Sequence, residues 1–387
     1  MKRVIAKVPP DILHPWIYSK RVADPGDAQP GDDVLVYNTR GEFIGSYLYN
    51  PNSILTLRRY SRRQEPLDFI AIKDRLYRAY ELRKYLFRGT SETSYRVVFG
   101  ESDALPGLIV DKYDKGLVFQ ITTLGMEKRR EWVVKALEDV FQPEFLVEKS
   151  DSSGRREEGL PPRTEVVFGT VEGPLTIEVE GIRYRVHLLE GNKTGFFFDQ
   201  RYNRLRLTRW AKGRALDLFS YTGGFTLHLL KGGVKKVFAV EINLNHLNLL
   251  KENVTLNGFD LNRVVTFHKD VFHFLDEMLL SGESFDVIVL DPPAFTHKRG
   301  GKSGALRGYR LLHDRVLRLL APGGFLATFS CSMHVSDRDL LESVERSARA
   351  LKRQLVVIER FQQSPDHPIL LGFPESEYLK GWLLRAY

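Results

Sequence analysis

Cysteine is almost absent from this sequence: among 387 residues only Cys331 carries a thiol, so no internal disulfide can form and a secreted disulfide scaffold is excluded. Long apolar runs are absent too. No stretch approaches the roughly 18 uninterrupted apolar residues that span a bilayer, which removes membrane insertion and any membrane partner from the expected functions. The opening MKRVIAKVPPDILHPW is basic but lacks the apolar core, about 7 to 15 residues long, of a secretory signal, and the expected compartment is the cytoplasm. Self-similarity at periods of about 20 to 50 residues is missing, so a solenoid or propeller is not expected. No residue is assigned to a metal.

What is present fits a soluble protein of several domains. An apolar fraction of 43% with 27% charged residues is ordinary for globular chains, and 387 residues exceed one ordinary core, so two or three domains are expected. Lys plus Arg outnumber Asp plus Glu by 57 to 49, a net charge of +8. That excess suits a polyanionic partner, although a modest basic surplus also serves solubility alone.

Three segments differ in texture. Residues 1–72 hold short strand-like runs (DDVLVYN, FIGSYLYN, SILTLRRY) separated by Gly, Pro, Asn and Asp, the pattern of a small β-rich domain. It ends in LRRYSRRQEP, where Arg58, Arg59, Arg62 and Arg63 surround Tyr60 and offer phosphate-binding charge beside a stacking ring. A solvated arginine-rich strand end would look the same. Residues 73–185 form a central α+β segment: the helical FIAIKDRLYRAYELRKYL leads into it, GLIVDKYDKGLVFQITT sets two strands around the turn signal DKG, and MEKRREWVVKALEDVF reads as a further helix. DSSGRREEGLPPR, at 151–163, lacks apolar periodicity and reads as an exposed loop. No catalytic constellation is visible in this part.

From 186 to 387 strands alternate with amphipathic stretches: ALDLF, KVFAVEI, VVTFH, FDVIVLD, FLATFS and QLVVIE. This alternation predicts a Rossmann-like α/β domain, a parallel sheet with helices on both faces, whose ligands bind beyond the carboxyl ends of the strands. The informative residues fall at those ends. The first strand runs into Asp217-Leu-Phe-Ser-Tyr-Thr-Gly-Gly224, where paired glycines allow a tight turn and close approach of a ligand. The dinucleotide fingerprint G-x-G-x-x-G is missing, so a nicotinamide cofactor is disfavoured. The second strand ends in Glu241, 24 residues after Asp217, a distance suited to a carboxylate that takes two ribose hydroxyls. Asp270 follows the third strand, where it can accept from an adenine amino group, and Asp291-Pro-Pro-Ala-Phe295 follows the fourth. Each acidic residue alone fits a strand end or helix cap; four in order at successive strands favour a cofactor site.

At these residues the chain resembles the class I S-adenosylmethionine methyltransferases, and within them the bacterial and archaeal 23S ribosomal RNA 5-methylcytosine methyltransferases that carry an amino-terminal PUA domain. The likeness rests on HPWIYS (14–19), YNPNSILTLR (49–58), GNKTGFFFDQRYNR (191–204), LDLFSYTGGF (216–225), DVIVLDPPAF (286–295), FSCS (329–332) and DHPILLGFPESEYLKG (366–381). It implies a PUA-like RNA-binding domain over 1–72, a small central domain over 73–185 and a methyltransferase domain over 186–387. It also implies S-adenosyl-L-methionine as cofactor, S-adenosyl-L-homocysteine as product and 23S ribosomal RNA, naked or partly assembled, as partner. The implied cofactor set adds Phe198 and Arg201, the turn residues Phe219, Ser220, Tyr221, Thr222, Gly223 and Gly224, and Ile242, Val271 and Pro292 beside the acidic residues. Dimerisation is left open.

Carbon 5 of a pyrimidine is too weak a nucleophile to take a methyl group directly. A thiolate adding at carbon 6 makes it an enamine. Cys331, in Thr328-Phe-Ser-Cys-Ser332 at the end of the fifth strand, is the expected nucleophile, with Asp291 binding the base at N3 in protonated or proton-sharing form. A second cysteine after the fourth strand, used by a different branch, is replaced here by Pro293 and Ala294. Glu375, Glu377, His367 or a water is left to take the carbon 5 proton. Lys298, Arg299, Lys302 and Arg307, in the glycine- and lysine-rich HKRGGKSGALRGY (297–309), are expected to close over RNA phosphates as a loop that orders on binding. The target carbon is stacked in a helix, so an unpaired or flipped nucleotide is expected. Two alternatives stay open: methylation of an exocyclic amine or guanine nitrogen, which needs no cysteine, and methylation of uracil carbon 5, which shares the thiol chemistry.

Overall fold

The computed structural model describes residues 1–191, 193–295 and 301–387. Its chain divides into two compact units, one of 1–178, 186–198 and 365–376, the other of 179–185, 199–364 and 377–387.

The first unit is built from two sheets. Six strands lie in the order Trp16–Ile17, Leu57–Ser61, Phe43–Tyr49, Asp33–Asn38, Lys2–Ala6 and Val22–Asp24. Alternate residues Val34, Val36, Val4 and Ala6 meet Ile17, Ile44, Tyr47 and Leu57 in one core, the period of two expected of half-buried strands. Five more lie in the order Arg163–Phe168, Leu146–Ser150, Gly116–Ile121, Leu108–Tyr113 and Tyr95–Phe99. The DKG signal makes its hairpin, with Asp114 at φ +52° and Tyr113 paired to Gly116. Segments 1–72 and 73–185 each carry a sheet; residues 1–178 fall in this unit, and 179–185 fall in the other.

Two readings of this part differ from the structure. The helix expected over MEKRREWVVKALEDVF is broken into Leu124–Glu127 and Arg130–Phe141. At the break the buried Arg129 guanidinium donates to the carbonyls of Leu67 (2.8 Å), Gly125 (2.8 Å) and Gly31 (3.1 Å), an anchor invisible to apolar periodicity. The stretch 151–163 is no simple exposed loop either. It holds a short helix, Ser153–Glu157, with Arg155 fully buried against Glu127 (2.7 Å), and Glu158 buried beneath Asn50 (2.8 Å) and Arg58 (3.3 Å). Charges that satisfy each other can be buried without any apolar pattern.

The second unit carries the alternating strands, labelled here β1 (Arg214–Leu218), β2 (Lys236–Glu241), β3 (Val264–His268), β4 (Phe285–Leu290), β5 (Leu320–Ser330), β6 (Leu355–Gln362) and β7 (Lys380–Ala386). They form one sheet in the order β3-β2-β1-β4-β5-β7-β6. β1 to β5 are parallel, and the order reverses at β1, so the switch point opens between β1 and β4. β7 was not among the six expected strands. It inserts antiparallel to both β5 and β6 through the apolar run LKGWLLRA, so the sheet is mixed at that edge. Among the described residues, six α-helices complete the unit: α1 (Arg201–Thr208), α2 (Gly224–Lys231), α3 (Leu244–Leu256), α4 (Val271–Leu280), α5 (Lys302–Leu319) and α6 (Asp337–Ala350).

Leu216, Leu218, Val240, Ile288, Leu290 and Leu326 form one face of the sheet, packed with Phe274 of α4, Leu312 and Val316 of α5 and Val344 of α6. The alternate residues Ala215, Val237, Ala239, Val287 and Val289 are also buried, so both faces are covered and strand ends are the free access to the sheet. Among the described residues no helix is long and apolar enough to cross a membrane. Phe274→Ala, in the middle of this core, is expected to lower the unfolding free energy by about 4 kcal/mol in urea titration, whereas Leu280→Ala, at the exposed end of the same helix, changes it by less than about 0.5 kcal/mol.

Candidate active site

Asp217 sits one residue before the end of β1 with its carboxyl buried. Thr226 Oγ1 of α2 donates to its Oδ2 at 2.6 Å, while Oδ1 has no partner. Burial raises this carboxyl to about 7, against the lowering effect of the Thr226 hydrogen bonds and the Arg204 charge. The turn that follows is strained: Phe219 and Tyr221 hold φ of +62° and +48°, and Gly223 holds +92°. At Gly224 a Cβ would stand 2.6 Å from Arg204 Nε, so the paired glycines let α2 start against the guanidinium of α1. Ser220 Oγ is buried in this turn without a partner. Buried polar atoms left open beside a strained turn are the signature of a ligand site.

Glu241 ends β2. Its Oε2 accepts from the Tyr221 N–H (3.1 Å), its Oε1 from the Asn243 N–H (2.9 Å), and His246 Nδ1 stands 3.6 Å away. Burial pushes this carboxyl up, but those neighbours outweigh it and hold it below its ordinary value, so it is a fixed anion. Asp270 caps α4: Phe272 and His273 N–H groups donate to Oδ1 at 2.9 and 3.2 Å, and Oδ2 takes no part in these two bonds. Ile242 is exposed, whereas Val271 belongs to the core and has only its main chain to offer a ligand.

Asp291 follows β4, and Gln200 Nε2 donates to its Oδ2 at 3.0 Å. Burial raises the Asp291 carboxyl to about 7, with Asp199 and Asp217 adding to the rise and Arg204 and Gln200 opposing it. Asp199 accepts from Tyr378 Oη at 2.5 Å. Cys331 follows β5 with its Sγ 4.0 Å from the Pro292 carbonyl oxygen, so the single thiol lies beside the Asp291-Pro292 turn. Buried Lys380 of β7 fastens the loop after Cys331 by donating to the carbonyls of Ser332 (2.9 Å) and Val335 (2.6 Å). Strand ends thus gather Asp217, Ser220, Glu241, Asp291 and Cys331. Among the described residues no group of three or more His, Cys, Asp or Glu side chains is arranged to hold a metal.

Other expected residues land elsewhere. Arg201 is fully buried, its Nε 3.1 Å from Glu180 Oε1. Phe198 is buried in the first unit, packed on Tyr113 and Phe196. In the arginine cluster Tyr60 is buried and donates to the Glu65 carbonyl, so it offers no stacking face. Arg59 is buried on the carbonyls of Ile12 and Leu13, and Arg58 lies between Glu101 (3.0 Å) and Glu158 (3.3 Å). Of the four, Arg62 and Arg63 are exposed. Lys298 and Arg299 lie outside the described residues. Lys302 and Arg307 sit on α5, a helix rather than the expected loop, because Ala305, Tyr309, Leu312, His313 and Val316 bury one face at helical spacing. Lys302 is ion-paired with Asp339 (2.7 Å), and Arg307 is exposed. Of the groups considered for the carbon 5 proton, Glu375 bonds His14 (2.9 Å) and His367 bonds Asp366 (3.0 Å) in the first unit, and Glu377 pairs with Arg360 (2.9 Å). Sequence reasoning missed Asp199, Gln200 and Arg204; their one signal was membership in the stretch GNKTGFFFDQRYNR.

A parallel sheet with this strand order, an open polar turn after β1 and a carboxylate ending β2 is the architecture of an S-adenosylmethionine-dependent methyltransferase. A family model of that description matches residues 164–380, and a PUA-like domain model matches residues 13–62. The chain is 38% identical to Ribosomal RNA large subunit methyltransferase I of Aeromonas salmonicida, covering 96% of this chain and 95% of that one. It is 37% identical to the protein of the same name from Vibrio cholerae, with the same coverage. Among solved structures, a SAM-dependent methyltransferase from Streptococcus mutans superposes with a TM-score of 0.86 at 20% identity over 100% of both chains. A methyltransferase complexed with SAH superposes at 0.87 and 20% identity, again over 100% of both chains. The chain belongs to the family of SAM-dependent methyltransferases that includes the proteins named Ribosomal RNA large subunit methyltransferase I.

The residues present fit that cofactor. Asp217 Oδ1 and Ser220 Oγ are unpartnered buried polar atoms that a ligand can engage, and Glu241 is an anion suited to hydroxyls. Without ligand, the raised Asp217 carboxyl gives a defined pH dependence. Its folded value, about 7, stands above its unfolded value near 4, so its contribution to stability is complete below about pH 4 and is lost as the pH rises through 7. The unfolding free energy of the wild type, relative to Asp217→Asn, is therefore expected to fall between pH 4 and 7 by on the order of 1 kcal/mol per pH unit in chemical denaturation.

Proposed function

We propose that this protein methylates carbon 5 of a cytidine in large-subunit (23S) ribosomal RNA, through an adduct of the Cys331 sulfur at carbon 6. The observation that carries the reading is the placing of the chain's single thiol beside the Asp291-Pro292 turn, with Asp291 itself held near neutrality in its proton affinity. Amine methylation needs no thiol there. The names of the relatives supply the RNA class.

In this reading Asp217, Ser220, the turn through Gly224, Glu241 and Asp270 hold the cofactor: Glu241 accepts from ribose hydroxyls and Asp270 Oδ2 from the adenine amino group. When bound, S-adenosylmethionine supplies an electrophilic methyl group. Cys331 attacks carbon 6 as thiolate, and the carbon 5–carbon 6 π pair moves toward carbon 4 while the carbon 4–N3 pair settles on N3. Asp291 meets that developing charge with its proton, which a carboxyl of ordinary acidity would have lost at pH 7. Pro292 and Pro293 stiffen the turn that carries it. The exposed Arg62 and Arg63 and the exposed Arg307 are the described members of the basic set that meet RNA phosphates, while Arg58 and Arg59 act as internal ties.

With tritiated S-adenosylmethionine and unmodified 23S ribosomal RNA, digestion to nucleosides is expected to yield labelled 5-methylcytidine. Cys331→Ala is expected to lower the rate at least about a thousandfold without displacing the unfolding midpoint; label on a purine nitrogen that survives this change would overturn the reading. Arg62→Ala combined with Arg63→Ala is expected to weaken RNA binding and to reduce the slope of log K against log salt by roughly 1.5 in filter binding, the effect of two lost phosphate contacts.

A further inference from the structure

We propose that Gln200 and Asp199 act as positioning residues that keep the acidic proton of Asp291 on Oδ1, so that the site presents a donor to a ring nitrogen that is an acceptor. This rests on the pyrimidine carbon 5 reading and names what selects cytosine within it. Cytosine N3 carries a lone pair, whereas uracil N3 carries a hydrogen, so an Oδ1–H donor matches the first and opposes the second.

The geometry runs through three residues at the start of α1. Asn203 Nδ2 donates to Gln200 Oε1 at 2.7 Å. With its oxygen so occupied, the Gln200 amide turns its NH2 toward Asp291, where Nε2 donates to Oδ2 at 3.0 Å. An oxygen that accepts from an amide cannot also point a proton at it, so Oδ2 is the carbonyl oxygen of the acid and Oδ1 carries the hydrogen. Asn203 and Gln200 are both buried, which keeps water from competing for either bond.

Asp199, the residue before Gln200, supplies the second half of the device. It is buried, its main-chain oxygen accepts from Ser364 N–H at 2.9 Å, and its Oδ2 accepts from Tyr378 Oη at 2.5 Å. The charge of Asp199 opposes ionisation of Asp291. Among the described residues, the charged and titratable groups that face Asp291 are Asp199 and Arg204 at the start of the unit, Asp217 of β1, Tyr309 of α5 and Cys331 after β5. Asp199 and Asp217 raise its carboxyl and Arg204 lowers it. Tyr309 is held neutral by burial and by the nearby Cys331 and Asp291.

The proton balance closes. As the sulfur–carbon 6 bond forms, N3 gains the electron pair and takes the hydrogen from Oδ1, leaving Asp291 as carboxylate. After carbon 5 is methylated, the N3–H returns its proton to Oδ1 as the carbon 4–N3 double bond reforms. A base then takes the carbon 5 hydrogen, that pair becomes the carbon 5–carbon 6 double bond, and the thiolate leaves.

The two residues act in opposite directions, and this allows a test that unfolding cannot imitate. In protein labelled with γ-13C aspartate, with the Asp291 signal assigned by its loss in Asp291→Asn, the carboxyl is titrated without RNA. Asp199→Asn is expected to lower the Asp291 midpoint by about one pH unit, because a like charge is removed; Gln200→Met is expected to raise it, because a donor to the carboxylate is removed. The basic limb of the single-turnover rate with 23S ribosomal RNA follows each shift. At pH 6, where Asp291 is protonated in both proteins, Gln200→Met is still expected to turn over about tenfold more slowly than wild type, because its proton can occupy either oxygen. No shift in either variant, shifts of the same sign, or a lowered midpoint in Gln200→Met, meaning that the amide accepts from Asp291, would each overturn the proposal. Opposite shifts in a protein whose product contains no methylated pyrimidine would overturn the carbon 5 reading, and with it the base that Oδ1 serves, while leaving the titration intact.

Discussion

The second unit depends on a single electrostatic constraint: buried Asp217 and partly buried Asp291, at the ends of two adjacent parallel strands, share the field of the Arg204 guanidinium, and buried Asp199, just before α1, adds its charge to Asp291. Isolated carboxylates in a dry interior are costly, and neighbouring ones repel each other. The fold answers with partners: Thr226 for Asp217, Tyr378 for Asp199 and Gln200 for Asp291. Where partners do not suffice, the proton stays, and two of these acids remain near neutrality in their proton affinity. A site that holds protons at pH 7 and lies beside a thiol is suited to chemistry in which charge develops on a base and is then withdrawn.

The same constraint explains local features that otherwise look unrelated. Gly224 is required because Arg204 lies against the start of α2, and the left-handed residues Phe219 and Tyr221 bend the turn so that the Tyr221 N–H reaches Glu241. β7, inserted antiparallel between β5 and β6, places Lys380 where its ammonium fastens the loop after Cys331. Strand order, glycine placement and a late strand therefore converge on one end of the sheet. This is the end at which open α/β sheets bind ligands.

Much of this was legible in the sequence for a definite reason. In a parallel sheet buried on both faces, strands read as continuous apolar runs, and their carboxyl ends are marked by the first polar residue after each run. Glu241 and Asp291 are such residues, and Asp217, Asp270 and Cys331 lie within two residues of a strand end, so their placement there follows largely from hydrophobicity. Gln200, Asp199 and Arg204 carry no such mark, because they lie at the start of a helix before β1, and only tertiary structure shows which side chains they meet. The arginine cluster failed in the other direction. Local composition made Arg58, Arg59 and Tyr60 look like a surface, but Glu101, Glu158 and the carbonyls of Ile12 and Leu13 draw them inside. Glycine content likewise masked the first turns of α5, whose apolar residues at helical spacing outweigh its glycines.

The central claim is that Cys331 is the group that joins the base. The measurement that bears on it most directly is covalent trapping with ribosomal RNA in which cytidine is replaced by 5-fluorocytidine, since fluorine at carbon 5 cannot leave as a proton does and the adduct therefore persists. After incubation with S-adenosylmethionine, protease digestion and mass spectrometry, the account predicts a nucleotide carried on the peptide containing Cys331, the only cysteine in the chain. Methyl transfer to the RNA with no adduct on that peptide would contradict it.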